Sequence, residues 1–416
     1  MKVLIIGSGG REHAIAWKIS QNKSVDTIYC APGNGGTENE DKCINVDIEG
    51  IENIACFAEK NKIDLTVVGP EVPLVEGIYD EFKKRNLRIF GPSKKASMLE
   101  GSKSYSKDFM KKYGVRTAEY EVFYDKDSAL SYLKECSYPI VIKADGLAAG
   151  KGVVIAENFE EAENTVKAFM VDDVFKGSGK KVVIEEFLEG VEASILSICD
   201  GETIIPFISA KDHKNIFEGN KGPNTGGMGA VSPNPYCTKE VLEDFRENIM
   251  IPTLNGIKKE KLDYTGIIFF GLMITKKGVY LLEYNVRMGD PETQAVLPLM
   301  ETDLVELMEA AIDKRLSSTH IAWKKKKACS VVAASSGYPK KYNTGFEITG
   351  CSDVKNKIFA AGAEFKNGKL LTSGGRVLSV TAIGDTMEDA RKKAYEDIEK
   401  IKFNGIYYRK DIGVAK

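Results

Sequence analysis

The first 92 residues of this chain alternate between short apolar runs and segments of helical spacing, and that alternation leaves few folds open. Residues 3–6, 27–30, 65–68 and 88–90 read as strands, with helices at 12–19, 51–60 and 74–84 between them. Strands separated by helices of this length pair in parallel, because only a crossover returns the chain to the same end of the sheet. Glycine or proline follows most runs, at Gly7, Pro32, Gly33, Gly69, Pro70, Gly91 and Pro92. In open α/β sheets ligands sit beyond the carboxyl ends of the strands, so these loops are where binding is expected.

A chain of 416 residues is too long for one core, since single cores stop growing near ~250 residues. Beyond Ser93 the pattern changes. Helical segments at about 102–113, 128–134 and 160–169 mix with strand-like runs at 121–123, 139–143, 153–156 and 181–185, which suggests an α+β region. Residues 209–234 are polar, rich in Gly and Pro and too long for a simple connection; structureless loops of that length are usually functional or disordered. A long helix at about 239–259 and an antiparallel pair, 266–274 and 278–285, turning at Lys276 and Lys277, complete the region. After a helix at about 301–314 the lysine run 324–327 marks a boundary, and a small α+β domain takes the remainder.

Composition removes several function classes. Lys and Arg number 58 against 60 Asp and Glu, a formal charge of −2, so no whole-molecule field draws nucleic acid or anionic lipid, and neither partner is expected. No apolar run approaches the ~20 residues that span a bilayer. The eight cysteines never form CxxC and the three histidines are scattered, which argues against zinc and a disulfide framework and favours a reducing cytoplasm. Glycine is in surplus, 39 where a ~7% baseline gives ~29. Thirteen of them fall in four segments, 7–10, 33–36, 146–152 and 222–229.

Gly7-Ser8-Gly9-Gly10-Arg11-Glu12-His13 follows a strand and opens a helix, so its bare N–H groups and the helix dipole favour a phosphate. A dinucleotide fingerprint needs glycine at position 12 and an acid ending the second strand; Glu12 and Ala31-Pro32-Gly33 stand there instead. The alternative is a tight turn whose glycines permit close packing. The loop 32–37, with Asn34 and Gly36, would flank the first. Lys143 to Gly152 lies between two strands and can fold over a polyphosphate, Lys143 and Lys151 supplying charge; a Walker motif would need a following helix and a hydroxyl. Glu185-Glu186-Phe187-Leu188 offers an extended backbone to an adenine edge, with Glu192 near a ribose, although acidic surface turns look the same.

The strongest local signal is Leu282 to Glu292. Strand alternation puts Glu283, Asn285 and Arg287 on one face and leaves Leu282, Tyr284 and Val286 on the apolar one. Two hard oxygen donors followed by a guanidinium suit Mg²⁺ bound to phosphates. Lys211-Asp212-His213-Lys214 and the loop 222–229 suit a small anionic ligand, with His213 either a general base or a surface residue.

In chain order, GSGGREHA, APGNGGT, VVGPEVPLV, IFGPS, LEGSKSYSKDFM, VIKADGLAAGKGV, EEFLEGVEAS, KDHK, GPNTGGMGA, RMGDPETQ and TSGGRVLSVTAIG resemble the motifs of the ATP-grasp superfamily and, within it, the phosphoribosylamine–glycine ligases. The resemblance implies a Rossmann-like phosphoribosylamine-binding α/β domain at 1–100, an ATP-grasp domain at 101–324 with a mobile lid at about 115–188, and a C-terminal α+β domain at 325–416. It implies ATP with Mg²⁺ or Mn²⁺, and a cytoplasmic monomer. ATP would meet Lys103, Lys143, Gly150, Lys151, Glu185, Leu188 and Glu192; the metal would meet Glu283 and Asn285. Phosphoribosylamine would meet Gly9, Gly10, Arg11, Asn34 and Gly36, and glycine would meet Asp212, Lys214, Asn224, Thr225, Arg287 and Asp290. Arg287, Asp290 and Lys143 would serve catalysis, with Asp212 and His213 as candidates for taking the amine proton. One departure from the superfamily is the missing carboxylate on the preceding strand, where Phe269 to Met273 stand. The implied reaction joins glycine to 5-phospho-D-ribosylamine through glycyl phosphate, under a lid that keeps water from the acyl phosphate.

Overall fold

A computed structural model describes residues 1–148 and 152–414. The alternation at the N-terminus is realised as β1 (Lys2–Gly7), α1 (Gly10–Ser20), β2 (Thr27–Pro32), β3 (Cys43–Asn45), α2 (Ile51–Asn61), β4 (Leu65–Val68), α3 (Glu71–Glu76), α4 (Ile78–Lys84) and β5 (Ile89–Phe90). All five strands are parallel, in the order β3-β2-β1-β4-β5. Alternate residues of β1 feed two cores. Val3 and Ile5 meet Ile15 and Ile19 of α1, whereas Leu4 and Ile6 share a core with Ile54 of α2 and Phe82 of α4. Burial on both faces is why these strands read as unbroken apolar runs. The order reverses beside β1, and the loop from Gly7 to Arg11 leaves the sheet at that switch point.

Next come α5 (Lys94–Gly101), α6 (Lys103–Tyr113), β6 (Tyr120–Phe123), α7 (Lys126–Leu133), β7 (Ile140–Ala144), β8 (Val153–Ala156), α8 (Phe159–Met170) and β9 (Val182–Glu186). The last four strands form an antiparallel sheet, β6-β9-β7-β8, and α7 and α8 cover it around a core of its own that includes Leu133, Ile142, Val166 and Ile184. A second antiparallel sheet, β11-β10-β16-β17, is built from β10 (Val191–Cys199), β11 (Ile204–Pro206) and, after an intervening stretch, β16 (Gly266–Thr275) and β17 (Gly278–Asn285).

The stretch at 209–234 is ordered into short strands, β12 (Lys211–Asp212), β13 (Asn215–Phe217), β14 (Lys221–Asn224) and β15 (Gly229–Ser232). The single helix expected over 239–259 is divided into α9 (Lys239–Phe245) and α10 (Ile251–Lys259) by a wider five-residue turn, Arg246–Met250. Pro252 has no N–H to give the Asn248 carbonyl four residues back, so a regular ladder cannot run through.

The remainder comprises α11 (Glu292–Val296), α12 (Leu304–Ile312), β18 (Lys327–Ser335), β19 (Lys357–Ala360), β20 (Ala363–Lys366), β21 (Lys369–Thr372), β22 (Arg376–Gly384), α13 (Met387–Ile398) and β23 (Ile406–Tyr407). Its main sheet runs β12-β15-β18-β22-β19, so two strands come from the chain before residue 325. The first and third regions meet where Phe359 of β19 sits fully buried, edge-on to His13 and Trp17 with both ring centroids at 5.6 Å. Phe359→Ala is expected to lower stability by ~3–5 kcal/mol, read as a shift of the urea midpoint with an unchanged slope.

Candidate functional site

A cleft open to solvent lies between the β6-β9-β7-β8 sheet and the sheet that carries β17. Val141, Ile155, Leu188 and Met273 give it an apolar wall suited to a flat aromatic ring. Leu282 joins that wall, against the expectation that it lies on the opposite face. A bulge on β17 is the reason: Glu283 pairs with Gly271 and Leu281 with the next residue, Leu272, so Leu282 is the extra residue and is turned into the cleft. The glycine opposite Glu283 also leaves that strand without a second carboxylate, as the sequence indicates.

Glu283, Asn285 and Arg287 all line the cleft, facing four lysines from three other segments. Glu185 is buried and ion-paired to Lys143 Nζ at 2.8 Å and to Lys107 Nζ at 3.0 Å, and Lys143 also donates to the Leu282 carbonyl at 3.2 Å. Glu185 is thus committed to two lysines by its side chain, and its backbone lies within the sheet, in register with Tyr120 on one side and Val141 on the other. Burial pulls Lys107 down to about 8 despite Glu185 beside it. Lys103 Nζ reaches the Gly146 carbonyl at 3.4 Å, touching the glycine loop, and burial lowers its pKa as well. Gly150 and Lys151 of that loop lie outside the described residues.

Lys214 crosses the cleft to Glu192 at 2.7 Å. Its burial disfavours charge, yet Glu192, Glu283 and Asp212 together raise its pKa above the ordinary lysine value. Glu283 is half-buried, which disfavours its charge, and Lys214, Lys143, Lys103 and Arg287 outweigh that to hold its carboxyl below the usual range. Arg287 is gripped by Glu100 at 2.9 Å and Glu71 at 3.3 Å, and gives a further bond to Asn285 Oδ1 at 3.0 Å. Burial pushes Glu100 up to about 7, against the pull of Arg287 and with the repulsion of Glu71.

The loop after β1 lies apart from this cleft. Gly9 donates to Glu12 Oε2 at 2.6 Å, and the Arg11 guanidinium is spent on Glu12 at 2.5 Å and the Met288 carbonyl at 3.2 Å. Asn34 ties three segments by donating to Ser8 O and Ala360 O, while its Oδ1 accepts from Gly36 N–H. Close packing accounts for two of the glycines: a Cβ at Gly36 would stand 2.2 Å from His13 Nδ1, and one at Gly10 2.5 Å from Gln294 Nε2. Asp290 joins this loop rather than the cleft. Its carboxylate lies 3.4 Å from the Arg11 amide and 3.4 Å from Arg376 Nη1, and burial is outweighed by Arg376 and Arg11 in lowering its pKa.

Asn224 and Thr225 reach the cleft wall, with Thr225 Oγ1 turned to the Lys214 carbonyl at 2.7 Å. Asp212 sits beside Glu292, and burial followed by Glu292 raises its pKa well above that of a free carboxyl. His213, one residue along, faces the opposite way. It is buried, its Nδ1 lies 3.3 Å from the Gly229 carbonyl, and burial lowers it to about 4, so it is neither a surface residue nor a base in the cleft.

Lys107, Glu71, Glu100 and Arg376 were not singled out from sequence. Lys107 stands one helical turn from Lys103 on α6, a spacing that puts both on one face. Arg376 binds the Gly226 and Asp290 carbonyls, so the third region reaches both the loop 222–229 and the segment that follows β17.

Three family models cover the chain: Phosphoribosylglycinamide synthetase N domain at 1–100, its ATP-grasp (A) domain at 101–293, and its C domain at 328–415. The chain is 69% identical over 416 residues, the full length of both, to a phosphoribosylamine–glycine ligase of Clostridium acetobutylicum. It is 51% identical, again over both full lengths, to that of Caldanaerobacter subterraneus subsp. tengcongensis. The crystal structure of the Thermotoga maritima phosphoribosylamine–glycine ligase superposes with a TM-score of 0.88 at 38% identity, covering 99% of this chain and 100% of that one. A Campylobacter jejuni biotin carboxylase, 15% identical with a TM-score of 0.75 over 99% and 94% of the chains, shares the fold.

Glu100 gives a pH signature. Its folded value of about 7 lies above its ordinary 4.5, so between these limits the folded chain keeps a proton that the unfolded chain has lost. Its contribution is complete below the lower limit and is lost as pH rises through the upper one. Glu100→Gln is expected to reduce the fall in unfolding free energy between about pH 5 and about pH 8, measured by urea titration at each pH.

Proposed function

The chain belongs to the phosphoribosylglycinamide synthetase family, and from that membership we propose how its cleft performs the family's reaction, the ATP-dependent ligation of glycine to 5-phospho-D-ribosylamine in purine biosynthesis. The observation that carries the assignment is the end of β17 and the residues just after it: Glu283, Asn285 and Arg287 look across the cleft at Lys103, Lys143 and Lys214. Adenine fits against Leu188, Met273 and Leu282, with its edge on the backbone of 185–188 and the ribose near Glu192. The phosphates then lie among the lysines.

Glu283 and Asn285 are hard oxygen donors that fit Mg²⁺ or Mn²⁺, and among the described residues no cluster of three or more His, Cys, Asp or Glu offers a fuller metal site. An ion held there would draw its remaining ligands from phosphate and water and would neutralise phosphate charge. A glycine carboxylate oxygen held near Arg287 attacks the γ-phosphorus, the bond to the bridging β–γ oxygen breaks, and ADP leaves. The ribosylamine nitrogen then attacks the glycyl carbonyl, phosphate departs, and the nitrogen loses a proton. No protein nucleophile is needed; positioning and charge neutralisation supply the catalysis. Gly9, Gly10, Arg11, Asn34 and Gly36 form the ribosylamine end of the site in the first region. Asp290 adjoins that loop and shares the Arg376 guanidinium with the Gly226 and Gly227 carbonyls. The lid and its loop 145–152 exclude water. A cytoplasmic monomer with small-molecule substrates alone completes the reading.

ADP release is expected only when glycine and phosphoribosylamine are both present; release with a different carboxylate or amine pair would reassign the chain to another ATP-grasp ligase. Glu283→Ala is expected to abolish turnover, while calorimetry shows ATP bound within ~10-fold of the parent, since most ATP contacts remain.

A further inference from the structure

The lid sheet joins the body of the protein just ahead of β6, at Arg116 and Thr117, and both residues are held from the opposite side of the cleft. Arg116 Nη1 lies 2.8 Å from each carboxylate oxygen of Asp244, and the same carboxylate accepts from Val279 N–H on β17 at 2.7 Å. Arg116 N–H donates at 3.0 Å to Asn248 O, the carbonyl that Pro252 leaves without its helical partner. Its carbonyl accepts from Leu281 N–H at 2.9 Å. Gly278 has a φ of +126°, and a Cβ there would stand 2.5 Å from Arg116 Nη1, so the turn into β17 is shaped around the guanidinium. Thr117 Oγ1 donates to Leu281 O at 2.6 Å and accepts from Lys107 Nζ at 2.7 Å.

We propose that Arg116, locked to Asp244 and to the wide turn of the α9–α10 helix, is the fixed pivot of the lid and sets the spacing between the Lys107–Glu185–Lys143 cluster and the Glu283 segment. The proposal rests on the reading that ATP binds between these two walls. The wide turn has a use on this view: it spends one helical hydrogen bond to expose a carbonyl where the lid begins. Arg116 touches no substrate and is a positioning residue. Without it the lid sheet keeps its own core and folds, but its first strand is no longer registered on Leu281, the residue that precedes the bulge at Leu282.

The test uses the full-length chain. Arg116→Ala is expected to raise the KM for ATP by ~10-fold or more while the KM for glycine stays within ~2-fold, because misplacement rather than loss of a contact is the defect. Hydrogen exchange read over residues 120–148 and 153–186, with and without a non-hydrolysable ATP analogue, is expected to show protection in the parent and weaker protection in Arg116→Ala. The exchanged pair Arg116→Asp with Asp244→Arg is expected to restore both readouts, and Arg116→Lys to restore them in part. A variant that melts earlier but keeps the parental KM for ATP and the parental protection would overturn the pivot. Absence of ATP-induced protection in the parent would instead overturn the placement of ATP under the lid.

Discussion

Five cationic side chains converge on one partly desolvated cleft, and the arrangement stands because carboxylates hold them in place. Glu185 holds Lys107 and Lys143, Glu192 holds Lys214, Glu71 and Glu100 hold Arg287, and Glu283 faces Lys103. A buried ion pair gains little over apolar packing of the same shape, yet removing one partner is severe because the other charge is left uncompensated. The network therefore acts less as a source of stability than as a mould. It keeps positive charge aimed at the place where a polyphosphate fits, with little reorganisation left to do when the ligand arrives.

Much of this was legible in the sequence where a residue type has one reason to be where it is. The parallel sheet followed from apolar runs buried on both faces, and the face formed by Glu283, Asn285 and Arg287 followed from strand alternation. Alternation failed one residue earlier: the bulge that turns Leu282 into the cleft depends on the register with β16, a property of two strands that neither shows alone. Helical spacing was read through 239–259, and Pro252 was the visible cue that the ladder breaks. His213 was placed by the residue it pairs with across the chain, which no local pattern contains.

The glycine loops divide by cause. At Gly10 and Gly36 a side chain would strike Gln294 or His13, with Ala361 and Ala360 of the third region also in contact range, so the glycine there answers to packing against later parts of the chain as well as to any ligand. The segment 222–229 is different: Arg376 holds its Gly226 carbonyl and Tyr338 accepts from its Gly226 N–H, so it is a loop clamped from outside. Compositional surplus located these loops without separating the two reasons for them.

The sheet that β15 shares with β18 also sets an order of events during synthesis. Gly229 to Ser232 pair with residues 328–331, roughly one hundred positions later in the chain. At ~5–20 residues per second, β15 waits about 5–20 s on the ribosome for its partner strand. Until then its edge is open and the adjoining loop 222–229 has nothing to close against. The loop 222–229 and β15 therefore take shape only after the strands of the cleft have been made, and a chain released early would carry a formed cleft beside an unfinished loop and an unpaired strand.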